Sequence, residues 1–295
     1  MEKKTLLLGG HMPLYENLED AITNGQNLGF SVIQIYSRSM PDWVKHSMTA
    51  DQINRFKTAL NESTIKEVIA LDPFMKHLGR PGLERIELMN DLITDELAVC
   101  HLLGIPFLIL HPGTCSLRSG TVECITNVSE NLNDIISKAP GETSVLLMNM
   151  AGGGKSICYT FEHLAQIQRD MNNKNRFGVC FDMCNAFASG YSFGTTQEYN
   201  DLWSKFDRVI GLQNLKTIHI NDSRQDKNSG VDNHAFIGKG KIPFEAYRLI
   251  MNDERFFDIP KIIEIPAEHL DDYCKAYSIL VDMITPSNKQ MYGID

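Results

Sequence analysis

Four side chains of metal-binding type stand where short apolar runs end. His111 closes the run 106–111 (PFLILH), Asp182 closes 177–182 (FGVCFD), His219 falls within 215–221 (LKTIHIN) and Glu264 within 260–265 (PKIIEI). Imidazole nitrogen and carboxylate oxygen together suit Zn2+ or Mn2+. Asp232 and His234 (VDNH) add a pair with one residue between them, a spacing at which an extended backbone turns both side chains to one face. His11 and Asp72 follow two further runs. One histidine or aspartate at a strand end is ordinarily a cap or a hydrogen-bonded turn residue. Six such groups converging on one face point instead to a metal site.

Such convergence requires a scaffold that gathers strand ends. Eight short apolar runs recur, at 5–9, 31–36, 66–70, 106–111, 144–149, 177–182, 215–221 and 260–265. Near-continuous rather than alternating apolar residues are the pattern of strands covered on both faces, as in parallel sheets. Helical periodicity fills the intervals, at 18–28, 49–60, 85–103, 122–138, 161–171, 196–210, 244–251 and 270–284. Thr49, with Gln52 three residues on, and Thr160, before Phe161 and Glu162, are helix-start signals. Eight βα units without a Pro-, Gly- or Ser-rich linker predict a single (β/α)8 TIM barrel over 1–284, with the active-site face at the C-terminal ends of the strands. Residues 285–295 are expected to form a poorly ordered tail.

Composition bounds the partners. Lys plus Arg is 28 and Asp plus Glu is 37, so 28 − 37 = −9, and nucleic acid or an anionic membrane is repelled unless a local basic patch or bound cations intervene. Nothing approaches the length of a membrane span, and the apolar stretch after Lys4 stops at Gly9, too short for a signal peptide. Seven cysteines with no C-x-x-C pair suggest free thiols and a cytoplasmic location. Cys180 and Cys184, flanking Asp182, read as small buried hydrophobes.

Two glycine-rich stretches and several loop residues need placing. Residues 149–156 (NMAGGGKS) end like a phosphate loop, but Asn149 occupies the first glycine position, and the next helix begins too late to aim its N-terminus at a phosphate. Residues 237–242 (IGKGKI) carry Lys239 and Lys241, either solvated or placed to hold backbone phosphates. Arg38, Lys45, Lys76, Arg80, Arg118, Lys155, Arg224 and Lys227 also fall in βα loops, as do Trp43 and Phe74, which are stacking platforms or loop-packing residues.

Taken together, the segments 110–113 (LHPG), 178–191 (GVCFDMCNAFASGY), 218–223 (IHINDS), 230–240 (GVDNHAFIGKG) and 244–264 resemble the endonuclease IV family of apurinic/apyrimidinic endonucleases. The similarity runs from about Leu7 to Glu264. It implies a TIM barrel with three zinc ions, hydrolysis of DNA 5′ to abasic sites, and loops that bend the DNA and flip the abasic nucleotide out. Bound zinc would let an acidic chain hold a phosphate backbone.

Of the nine ligands the resemblance implies, six match: His111, Asp182, His219, Asp232, His234 and Glu264. Leu71 stands for a histidine, Met148 for a bridging glutamate and Asn185 for another histidine. One metal position would keep only His111 and is expected empty. Another keeps Asp182, His219 and Glu264, which suffice for one Zn2+ or Mn2+. The third keeps Asp232 and His234 and should be weakly occupied. In the DNA-reading loops, Arg38, Trp43, Phe74, Lys239 and Lys241 are the expected contacts, while Pro41 replaces the wedge arginine and Phe74 replaces tyrosine. The resulting expectation is a monomer with an incomplete metal site and greatly reduced or absent nuclease activity. Three competing readings remain: an active enzyme using His11 or Asp72 as ligands, a one-metal sugar isomerase or epimerase, and a damaged-DNA binder that does not cut. A sugar enzyme would want a carboxylate where Met148 sits.

Overall fold

The computed structural model describes residues 3–13, 15–36, 48–73, 77–80, 86–116, 118–267 and 269–294. Eight strands close into a barrel: β1 (Leu8–His11), β2 (Val32–Ile35), β3 (Glu67–Leu71), β4 (Phe107–Leu110), β5 (Ser144–Met148), β6 (Phe177–Asp182), β7 (Leu215–Ile220) and β10 (Lys261–Ile263). Every neighbouring pair is parallel, and β1 closes the ring between β2 and β10. The helices α1 (Leu18–Asn27), α2 (Ala50–Glu62), α3 (Ile86–Leu103), α4 (Thr121–Lys138), α5 (Phe161–Asp170), α7 (Thr196–Val209), α8 (Phe244–Asn252) and α9 (Leu270–Asp282) cover the outside. Thr49 forms a capping box with Gln52, and Thr160 caps α5 through the His163 amide, as their sequence positions predict. No helix among the described residues is long and apolar enough to cross a membrane.

The apolar runs are continuous because each strand has two buried faces. Outward residues pack under the helices, where Trp203 lies with its ring centroid 4.8 Å from Phe181 and 4.4 Å from Phe256. Burying a side chain of this size contributes about 1.5–3 kcal/mol. Inward residues form a separate cluster of Val32, Ile69, Leu71, Ile109, Leu146, Met148, Cys180 and Ile262, which fills the barrel interior. The interior is therefore a packed plug, and chemistry is confined to the layer above it.

Strand β1 begins later than the run 5–9 predicts and takes in Gly9 and Gly10. A Cβ on Gly9 would lie 1.6 Å from the Val32 carbonyl oxygen, so the strand approaches its neighbour at a distance only glycine permits.

Two expectations fail. The tail is not disordered: it forms α10 (Pro286–Tyr292), with Pro286 in the first turn and Gly293 left-handed at its end, and Tyr292 packs edge-on to Phe257 with ring centroids 5.6 Å apart. The cysteines are not all free: Cys115 and Cys124 form a disulfide joining the loop after β4 to α4.

Candidate metal centre at the strand ends

Strand alternation determines which residues meet at the mouth. Two residues beyond each inward plug residue, the chain turns another side chain inward: Gln34 after Val32, Leu71 after Ile69, His111 after Ile109, Met148 after Leu146, Asp182 after Cys180 and Glu264 after Ile262. His219 pairs in register with Asp182 and with Ile262. Glu264 lies one residue past β10, held by its amide to the Ile220 carbonyl at 3.1 Å. The expected residues Asp182, His219 and Glu264 thus come together.

Their contacts are directional. His219 Nε2 donates to Gln34 Oε1 at 2.7 Å, and Gln34 Nε2 donates to His11 Nδ1 at 3.0 Å. The amide spans the mouth and commits His219 Nε2 to carrying a proton. His219 Nδ1 then faces Glu264 Oε2 at 2.9 Å and Asp182 Oδ2 at 3.5 Å, yet it makes a hydrogen bond to neither. A buried nitrogen aimed at two carboxylates without hydrogen-bond geometry fits a cation between them.

Asp182 is fixed from both sides. It caps the short helix α6 (Met183–Ala188), with Oδ1 accepting from the Asn185 amide at 2.7 Å, while Oδ2 accepts from Asn221 Nδ2 at 2.6 Å. Asn149 pairs with its backbone, donating to the Asp182 carbonyl at 3.0 Å and accepting from its amide at 2.7 Å. The glycines after Asn149 accordingly form no phosphate loop: Gly153 packs against Gly230, where a Cβ would lie 2.0 Å from the carbonyl oxygen.

Asp232 and His234 meet beside this centre. The hairpin of β8 (Asp222–Ser223) and β9 (His234–Ala235) carries them, and His234 Nε2 lies 3.1 Å from Asp232 Oδ1. Ligand atoms of Asp182, His234 and Glu264 lie within 4.8 Å of one another, as do those of Cys184, Asp232 and His234. His111 belongs to neither group among the described residues.

The electrostatics favour a cation. Burial opposes charging His219, but Cys180, Glu264 and Asp182 outweigh it and hold the imidazole well above the usual histidine range. Burial likewise opposes ionising Glu264, yet His219, His234 and His11 hold it well below the usual carboxylate range. Against its burial, His234 is raised to about 9 by Asp232, Asp182 and Glu264. Burial dominates at His11 and His111 and lowers both. The field that attracts protons here attracts a metal ion equally.

At the three positions where the resemblance leads one to expect other ligands, Leu71 and Met148 belong to the apolar plug, each 3% exposed. Asn185 is fully buried, and both atoms of its side-chain amide lack a partner. The loop 237–242 directs its amides inward: Asp222 accepts from the amides of Ser223, Gly238, Gly240 and Ile242 at 2.7–3.0 Å. Those amides therefore cannot hold phosphate, while Lys239 and Lys241 remain exposed. Arg38, Trp43 and Phe74 lie outside the described residues, as do Pro41, Lys45 and Lys76.

Two adjoining cavities open over the centre. One of about 500 Å³ is lined by His11, Arg224, Asp232, His234, Glu264 and Tyr273 among others. The second, of about 510 Å³, shares His11 and Tyr273 and extends to His269 and Leu270. Arg224 is pinned on the first wall by its Nε, which donates to the His234 carbonyl at 2.9 Å. Sequence reasoning overlooked Gln34, Asn149, Asn221 and Asp222. A glutamine on the inward side of SVIQIY was the one available signal.

Comparison with known proteins agrees with this fold. The xylose isomerase-like TIM barrel family matches residues 22–285. "Probable endonuclease 4" of Geobacter sulfurreducens is 36% identical over 267 residues, covering 90% of this chain and 90% of that protein. The crystal structure of endonuclease IV from Thermus thermophilus superposes with a TM-score of 0.80 at 23% identity, covering 94% of this chain and 98% of that one. A D-tagatose 3-epimerase-like protein has the same fold, with a TM-score of 0.70 at 21% identity, covering 94% and 96%.

Proposed function

Because the chain belongs to the endonuclease IV family of xylose isomerase-like TIM barrels, we propose that it is a DNA-directed, metal-dependent phosphodiesterase scaffold whose incision at abasic sites is greatly reduced or lost. Asp182, His219 and Glu264 would hold one tightly bound Zn2+, or Mn2+, in a monomeric protein. Asp232 and His234 remain beside it, and His111 is left without its companions. The observation that carries the reading is the packing of Leu71 and Met148 into the apolar plug, which puts apolar side chains on both strands that flank His111.

The residues present support binding and orientation. Gln34 sets which nitrogen of His219 faces the site. Asn221 and the first turn of α6 hold Asp182 in place. Arg224 offers a cation on the cavity wall for a phosphate oxygen. A bound divalent ion would supply charge neutralisation and Lewis acidity toward a phosphodiester. Hydrolysis assisted on both the attacking and the leaving oxygen needs more than one such charge, and the lost ligands remove that support.

The test is metal content by elemental analysis alongside incision of an abasic-site duplex, on one preparation, before and after combined Leu71→His, Met148→Glu and Asn185→His. About one tightly held ion and negligible incision are expected, with both rising in the triple variant. Three tightly bound ions with rapid incision in the unaltered chain would overturn the reading.

A further inference from the structure

The cavity that extends to His269 and Leu270 has a lining the metal centre does not use. Two rings form its seam with the cavity over Glu264, since His11 and Tyr273 line both. Their placement begins in the sequence of β1. A Cβ on Gly10 would lie 2.7 Å from Tyr273 Cδ1, so only glycine lets the tyrosine, in the first turn of α9, lie directly on the strand. His11, next in the chain, turns to the mouth. Its ring is held by Gln34, which donates to Nδ1 at 3.0 Å, and by Tyr36, edge-on with ring centroids 4.5 Å apart. That leaves Nε2 as the donor of the neutral ring.

The two cavities differ in charge. The one over the centre carries Arg224, Asp232, His234 and Glu264. Among the described residues, the adjoining one is lined by Pro13, Ala267 and Leu270 besides His11, His269 and Tyr273, with no carboxylate, lysine or arginine. A phosphate entering it would lose water without compensation. An uncharged planar group suits it instead, stacking on ring faces and hydrogen-bonding at its edge. Its volume of about 510 Å³ falls within the range of about 300–1,000 Å³ typical of small-molecule sites. An abasic nucleotide has no such group to fill it.

We propose that this cavity is a nucleobase subsite: the chain recognises a nucleotide that keeps its base, with the base against Tyr273 and His11 and the phosphate over the metal centre. The inference rests on the phosphodiester reading only in placing that phosphate. Base and phosphate are joined through one sugar, and two cavities that share a wall match that connection. Stacking on a ring tolerates any base, so the subsite selects for the presence of a base rather than for its identity.

Fragments separate the two cavities. Deoxyribose 5-phosphate probes the phosphate position, thymidine probes the base subsite, and thymidine 5′-monophosphate spans both; none has a diester bond to cleave. Binding to the full chain with one equivalent of Zn2+ is measured by calorimetry, and for thymidine by ligand-observed NMR. Thymidine is expected to bind, and the monophosphate to bind about 5–150-fold more tightly than the sugar phosphate, the range that base–aromatic stacking supplies. Leu270→Trp, its fold verified by circular dichroism, fills the cavity. It should abolish thymidine binding and bring the monophosphate down to the affinity of the sugar phosphate on the same variant. A sugar phosphate bound as tightly as the monophosphate, or more tightly, overturns the subsite. So does a base advantage that survives Leu270→Trp, or a chain that binds neither thymidine nor its monophosphate. Should Leu270→Trp fail to fold, nuclear Overhauser contacts between the thymine H6 proton and the Tyr273 ring in the unaltered chain decide: their presence supports the subsite and their absence refutes it. Thymidine bound without any binding of deoxyribose 5-phosphate would refute the phosphodiester reading and leave the base subsite standing, so the two fail separately.

Discussion

Gln34 Oε1 accepts the Nε2 proton of His219 at 2.7 Å from the far side of the barrel mouth, and this contact orients the imidazole toward Asp182 and Glu264. Replacing Gln34 with alanine removes the constraint while leaving every ligand in place. The expected result is a loss of about 10–100-fold in affinity for the metal ion at Asp182, His219 and Glu264, the usual cost of losing an outer partner of a ligating histidine. Chelator competition measures it, and nitrogen chemical shifts of His219 should show a mixture of tautomers in Gln34→Ala. An unchanged affinity with a single tautomer would remove Gln34 from the site.

Asp222 is an internal anion held by the Ser223, Gly238, Gly240 and Ile242 amides, and it fastens the loop 237–242 under the hairpin that bears His234. Asp222→Asn turns an amide N–H2 toward two of those donors. A destabilisation of about 2–4 kcal/mol is expected, because charge-assisted bonds are lost and buried N–H groups are left unpaired. Urea unfolding should show a lower midpoint at unchanged slope. A midpoint within error of the parent would mean that the loop holds without the charge.

The barrel was legible because buried parallel strands have one unmistakable pattern and closing eight of them has one solution. The mouth was legible to the extent that chemistry stands at strand ends: His111, Asp182, His219 and Glu264 could be named before any coordinates. Gln34 was not, since a glutamine among apolar residues reads as a defect until its partners on other strands are known. The two-residue strands β8 and β9 are too short to carry a period. The Cys115–Cys124 pair depends on a loop returning to its own helix, which cysteine spacing does not encode. Helix α10 bears both a proline start and a glycine stop, but its seven residues gain their stability from packing against Phe257 rather than from local propensity.

Lys261 gives a pH dependence away from any ligand. Its Nζ is enclosed between the carbonyls of Phe256 at 2.5 Å and Ile259 at 3.0 Å, and burial pushes the amine down to about 7 against the opposing pull of Asp253 and Asp258. In the unfolded chain the same amine titrates near 10.5. Between these values the unfolded chain holds the extra proton. Stability from this group therefore rises with pH across the window, by up to about 1.4 kcal/mol per pH unit, and is lost as pH falls toward 7. Lys261→Met should remove that slope, so the stability difference between variant and parent shrinks as pH rises from 7 to 10. Parallel profiles over that range would show that the buried amine keeps its ordinary affinity for protons.

Leu71 and Met148 share one apolar cluster, so a ligand introduced at one position is not independent of the residue at the other. A lone carboxylate at 148 would be an unpaired charge in hydrocarbon, costing several kcal/mol, and a lone imidazole at 71 would bury a polar ring without a partner. Introduced together, the two groups could share a cation. The substitutions Leu71→His and Met148→Glu are therefore expected to be sign-epistatic, each alone costing stability in an unfolding assay that the pair together avoids. On this packing, a metal ligand is tolerated at either position only when its partner accompanies it.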